Sequence, residues 1–125
     1  MKIPPNSNRI MPYLILPHAN EFVRFMKNVF DATEQAMIPR SEGIVMHGEV
    51  RIGNSVIMFA DATEEIAARP AGLFIYVEDV DAACDKALAN GATSLRAAMQ
   101  QPYGYTCGIH DPFGNDWWPV QAEKE

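Results

Sequence analysis

Three residues of one short segment, His47, Glu49 and Arg51, alternate with Gly48 and Val50. On an extended chain that spacing turns all three toward one face. A histidine beside a carboxylate can pass a proton or anchor a substrate, so His47 and Glu49 form a candidate acid–base pair, with Arg51 a candidate ligand contact. The same alternation also describes a polar row facing solvent on an antiparallel strand, where the pair needs no functional explanation. The second candidate group is aromatic. Trp117 and Trp118 are adjacent, so on a strand they face opposite sides, and Tyr103 and Tyr105 lie just upstream. Trp118 on a cavity wall would stack on a planar or hydrophobic ligand. Core packing accounts equally well for the tryptophans, and ordinary strand packing for the tyrosines. His110 reads as part of a turn beside Asp111 rather than part of a site.

The elements that must position these residues come in two rounds. An apolar run at 10–16 ends at Pro17. Phe22, Phe25, Met26, Val29 and Phe30 then follow at i, i+3, i+4, i+7 and i+8, the stripe of an amphipathic helix, with Asn20 placed to cap it. Strands are predicted near 33–38, over 44–52 and over 55–60, the last two joined by Gly53-Asn54. A polar, alanine-rich stretch broken by Pro70 is the predicted linker, residues 62–71, between modules at 1–61 and 72–125. The second round has a strand at 73–77, then a helix capped by Asp79 with a stripe of Val80, Ala83, Cys84, Ala87 and Leu88. Asn90-Gly91 stops that helix. Strands near 93–98 and 105–110, the turn Asp111-Pro112-Phe113-Gly114-Asn115 and a strand at 116–121 complete it. Ala32-Thr33 recurs as Ala92-Thr93, and Gly53-Asn54 as Gly114-Asn115. The halves share an order of elements more than a sequence.

Composition narrows the functions. The formal net charge is -6, from 10 basic and 16 acidic residues, and offers a phosphate backbone no basic stripe. No apolar run approaches membrane-spanning length. Prolines interrupt the N-terminal residues 1–17 where a signal peptide needs an unbroken apolar stretch, so a soluble, cytoplasmic protein is expected, with no nucleic-acid or membrane partner. Hydrophobic content of 48% and charged content of 21% fit an ordinary globular domain. Cys84 and Cys107, without CxxC spacing, are expected as two reduced thiols. Glu64, Glu65, Glu123, Lys124 and Glu125 read as solvated charge, and the methionines as core packing.

Three segments carry a resemblance: MHGEVRIGNSVIMFAD at 46–61, VEDVDAACDKALANGAT at 77–93 and YGYTCGIHDPFGNDWW at 103–118. Together they make the chain similar to the vicinal-oxygen-chelate superfamily, the glyoxalase/bleomycin-resistance/dioxygenase fold, and within it to the PhnB-like subgroup. The resemblance implies an α+β fold of two βαβββ modules forming a cupped mixed sheet, commonly in a homodimer. It also implies a divalent metal held by His, Gln or Glu side chains on the first and last strand of each module, acting as a Lewis acid. Carried onto this chain, those positions fall close to Met11 and Met58, and to Gly72 and Trp118, with no His, Asp, Glu or Cys within one residue. Such groups do not hold a borderline divalent ion, so no metal and no cofactor are expected. Where the PhnB-like pattern has an Asp-Arg pair after Tyr-Gly, this chain has Tyr105-Thr106.

The expected function is a small-molecule-binding protein that takes a hydrophobic or aromatic ligand, with Trp118, Tyr103, Tyr105, Met58 and Arg51 as candidate contacts. Two alternatives stand beside it. One is a metal-independent lyase or isomerase using His47 and Glu49, and the other a metal-dependent lyase or dioxygenase with displaced ligands.

Overall fold

Backbone pairing settles where the expected strands begin and end. Pro12 has no N–H to give a ladder, and its carbonyl accepts from Met58 N at 2.9 Å. The first regular strand therefore starts at β1 (Tyr13–Leu16), not at residue 10 as the apolar run suggested, and Ile10 is left 87% exposed. The computed structural model describes residues 1–124; Glu125, one of the residues read as solvated charge, lies outside them. After β1 come α1 (Ala19–Phe30), β2 (Thr33–Ser41), β3 (Ile44–Ile52) and β4 (Ser55–Asp61). The second round is β5 (Gly72–Val77), α2 (Val80–Ala89), β6 (Thr93–Gln101), β7 (Gly104–His110) and β8 (Asp116–Gln121). The chain divides into a first unit, residues 1–69, and a second from Pro70 onward.

Each unit is a four-stranded mixed sheet with one helix on one face, the α+β architecture expected. The strand orders are β1-β4-β3-β2 and β5-β8-β7-β6. In each, the first strand runs parallel to the last and the rest pair antiparallel. The helix between first and second strands supplies the crossover that a parallel pair requires. In the first unit α1 buries Phe22, Val23, Phe25, Met26, Val29 and Phe30. Phe22 meets Phe59 of β4 edge-on at 5.2 Å between centroids. In the second unit α2 buries Val80, Ala83, Cys84 and Ala87, but Leu88, expected in that stripe, is 46% exposed.

The helix starts differ from expectation in one unit only. Asp79 accepts from Ala82 N as predicted. Asn20, however, lies inside α1 and donates to the Gly43 carbonyl. The first N–H of α1, on Ala19, is satisfied by Asp61 at the end of β4, which also accepts from Val45 N at 2.7 Å. Gln121, at the end of β8, does the same for Val80 N at the start of α2. A tertiary contact thus supplies what a local cap would have.

The Asp111–Asn115 turn is a knot around one buried carboxylate. Asp111 accepts from Phe113 N, Asn115 N, the Asn115 amide and Trp117 Nε1. Asn115 in turn accepts from Ala71 N and ties down the start of β5. The most recognisable stretch of the sequence therefore builds the fold. The cysteines correct a further expectation: Cys84 of α2 and Cys107 of β7 are joined as a disulfide, not kept as two reduced thiols. The buried stripe of α2 lies over the helix-facing positions of β7, and the two Cα atoms stand 6.9 Å apart.

Candidate functional site

The sheet face away from the helix carries most of the candidate residues in each unit. In the first unit, β4 sends Phe59 toward α1, so Met58 points the other way. Tyr13 of β1 and Glu49 of β3 flank Met58 in register. His47 lies on the same face as Glu49, and its Nε2 stands 2.8 Å from Glu49 Oε2, the imidazole N–H donating. Gln35 of β2 donates to Glu49 Oε1 at 2.8 Å and to the Asn6 carbonyl at 2.8 Å. Arg51 completes the chain by donating to Gln35 Oε1 at 3.3 Å. The ring of Tyr13 meets His47 edge-on at 6.1 Å. The hydrogen bond from Gln35, followed by that from His47, holds the Glu49 carboxyl below its ordinary value against a smaller opposing push from burial. With side-chain exposures of 23% and 19%, His47 and Glu49 are a braced pair rather than a free solvent row. Such a pair can hold or move a proton at His47.

The second unit's open face is aromatic. Cys107 is bonded to α2, so Gly108 and His110 face away from it. Trp117 is buried on the helix side at 1% exposure, and Trp118 lies on the open side. Gly108 makes room for it: a Cβ at Gly108 would stand 2.4 Å from Trp118 Cζ3, so the indole lies flat across β7. Phe74 of β5 pairs with Trp118 in register, and its ring lies 5.3 Å from Tyr76 and 6.1 Å from Tyr103. Phe74, Tyr76 and Tyr103 are each more than half exposed. At one end His110, which the sequence had assigned to the turn beside Asp111, has its Nδ1 2.6 Å from Asp116 Oδ1. The exposed rings are not coplanar: Tyr76 stands at 72° to Phe74 and Tyr103 at 48°, so together with the indole they form an apolar, edge-rich surface rather than a single plane.

The candidate residues therefore separate. His47, Glu49, Arg51 and Met58 share the first unit's open face; Trp118 and Tyr103 belong to the second unit's. Tyr105 does not join them. It points to α2, where its hydroxyl donates to Asp81 at 2.8 Å, and that bond raises the tyrosine's pKa. Tyr13, Gln35, Phe74, Tyr76 and Arg96 were missed. Strand β5 reads Gly-Leu-Phe-Ile-Tyr-Val, apolar throughout, so no period-two signal marks Phe74 and Tyr76 as the outward pair.

The metal positions implied by the resemblance can now be placed by register. Opposite Met58 stands Tyr13, not Met11, and opposite Trp118 stands Phe74, not Gly72. A phenol, a thioether, a phenyl ring and an indole do not fit a hard or borderline divalent ion. Among the described residues, no three His, Cys, Asp or Glu side chains cluster as ligands would.

Comparison with known proteins agrees with this architecture. The family model of the Glyoxalase/Bleomycin resistance protein/Dioxygenase superfamily matches residues 8–118. The chain belongs to that superfamily. An uncharacterized protein of Mycobacterium bovis is 29% identical over 93% of this chain and 84% of its own length. Solved structures of other proteins share the fold. TnmS3, an antibiotic binding protein from Streptomyces sp. CB03234, has a TM-score of 0.73 at 19% identity, covering 98% of this chain and 99% of that one. A PhnB protein from Bacillus cereus has a TM-score of 0.71 at 18% identity, covering 92% and 100%. At such identities the likeness is one of fold alone. Among the described residues, no helix is long and apolar enough to cross a membrane.

Proposed function

We propose that this protein binds a small planar aromatic or hydrophobic molecule, its ring stacked on Trp118, without a metal at the positions that the superfamily commonly uses for one. The observation that carries the reading is the indole laid flat over Gly108, with Phe74, Tyr76 and Tyr103 exposed beside it. Trp118 is half-buried on this face, whereas Trp117 is buried on the helix side. The Streptomyces antibiotic binding protein shows that a chain of this fold can serve in binding. Thermal-shift screening against planar aromatic compounds, bleomycin- and mitomycin-like molecules included, tests the proposal. At least one compound should raise the melting temperature of the wild type and leave Trp118→Ala unmoved. Equal shifts in both proteins would end it, and elemental analysis showing a stoichiometric divalent metal would end its metal-free part.

A second reading has its own observation. The Gln35–Glu49–His47 chain orients an imidazole as an acid–base catalyst requires, which supports a metal-independent lyase or isomerase. Turnover of any substrate that survives unchanged in His47→Gln would refute it. The homodimer belongs with these proposals, since a second copy would cover exposed apolar side chains outside the platform, such as Leu88; light scattering showing a monomer at micromolar concentration would contradict it. A cytoplasmic location also remains a proposal. The Cys84–Cys107 disulfide removes one of its supports.

A further inference from the structure

Arg96 of β6 pairs in register with Gly108. With no side chain between them, its guanidinium carbon reaches to 5.5 Å from the centre of the Trp118 ring. The contact uses the π face of the indole and the positive charge of the guanidinium, and it leaves the N–H edge of the fork available. A guanidinium has five such donors and no acceptor. Among the described residues Arg96 forms no ion pair, and the Asp116 carboxylate on the same face is engaged by His110. A ring lying against the part of the indole that the guanidinium leaves open, on the side of Phe74, would therefore bring its substituents beside donors that call for an oxyanion. The chain's net charge of -6 does not cancel this. At physiological salt, charges beyond about 8 Å are largely screened, so the adjacent cation dominates.

We infer that the ligand is an aromatic anion, a planar ring bearing a carboxylate or comparable oxyanion, and that Arg96 is the residue that selects it. This rests on the stacking of a ring on Trp118. Arg96 reads the charge of the ligand, and the aromatic platform reads its plane.

Calorimetric titration with 2-naphthoate and its neutral counterpart 2-naphthamide tests the inference in the full chain. The wild type should bind the carboxylate roughly fivefold more tightly, the upper range for an exposed ion pair. Arg96→Met should bring the two affinities together by weakening only the carboxylate, and Arg96→Glu should reverse the preference. Arg96 is exposed, so both variants should keep the wild-type circular dichroism spectrum. Equal wild-type affinities, or a preference that persists in Arg96→Met, would overturn the role of Arg96 while leaving the platform standing. Binding of neither compound, or binding undiminished in Trp118→Ala, would bring down the platform and this inference together.

Discussion

The two units use one device on opposite sides of their sheets. In the first, a Cβ at Gly48 would stand 2.3 Å from Phe59 Cζ; in the second, a Cβ at Gly108 would stand 2.4 Å from Trp118 Cζ3. Each glycine on the third strand lets an aromatic from the fourth lie across the sheet. Phe59 lies toward α1 and is fully buried, whereas Trp118 lies on the open face. The first unit's open face is left to a hydrogen-bonded polar chain, and the second's to rings and one stacked guanidinium. A repeated backbone thus keeps its packing trick while changing which face receives it. Core and open face are exchanged by a one-residue difference in parity.

The comparison can be broken most directly at the two rings. Phe59→Ala should cost about 3–5 kcal/mol, because it opens a cavity among fully buried neighbours. Trp118→Ala should cost less than about 1 kcal/mol while abolishing ligand shifts. Urea unfolding of both variants decides, and similar losses would mean that both rings are core. Next in size is the covalent link. Reducing Cys84–Cys107, which closes a separation of 23 residues, should destabilise the second unit by about 2–4 kcal/mol. Hydrogen exchange should show the change in the second unit and little in the first; a reductant that leaves the intact mass unaltered would refute the bond. The helix caps come third. Asp61→Ala strands two buried N–H groups and should cost about 2 kcal/mol, whereas Gln121→Ala strands one helix N–H and should cost about 1 kcal/mol.

The smallest effect concerns pH. The Glu49 carboxyl titrates below its ordinary value in the folded chain. Its contribution to stability is therefore complete above the ordinary carboxylate range and is lost as pH falls through the lowered value. Stability profiles of wild type and Glu49→Gln should converge in acid and separate toward neutral pH. Parallel profiles would show that the Gln35 and His47 bonds contribute nothing to folding.

Much of this was legible before any coordinates. Phe22, Phe25 and Met26 announced α1 because burial on a helix repeats every 3.6 residues. His47 and Glu49 were found because two residues separated by one on a strand must share a face. Gln35 and Tyr13 were not, because they reach that pair from other strands through pairing that no local spacing records. Arg96 was hidden similarly: β6 pairs with β7 through register shifts on either side of it, and a bulged strand carries no clean alternation.

The chain alone determined the order of its elements and the two-round repeat, since propensity and periodicity are local properties. Tertiary structure alone decided that Asp61 and Gln121 cap the two helices, that Cys84 meets Cys107, that Tyr105 turns to Asp81, and that Arg96 lies over Trp118. Each of these joins residues far apart in sequence, and strand register and helix crossover set their meeting.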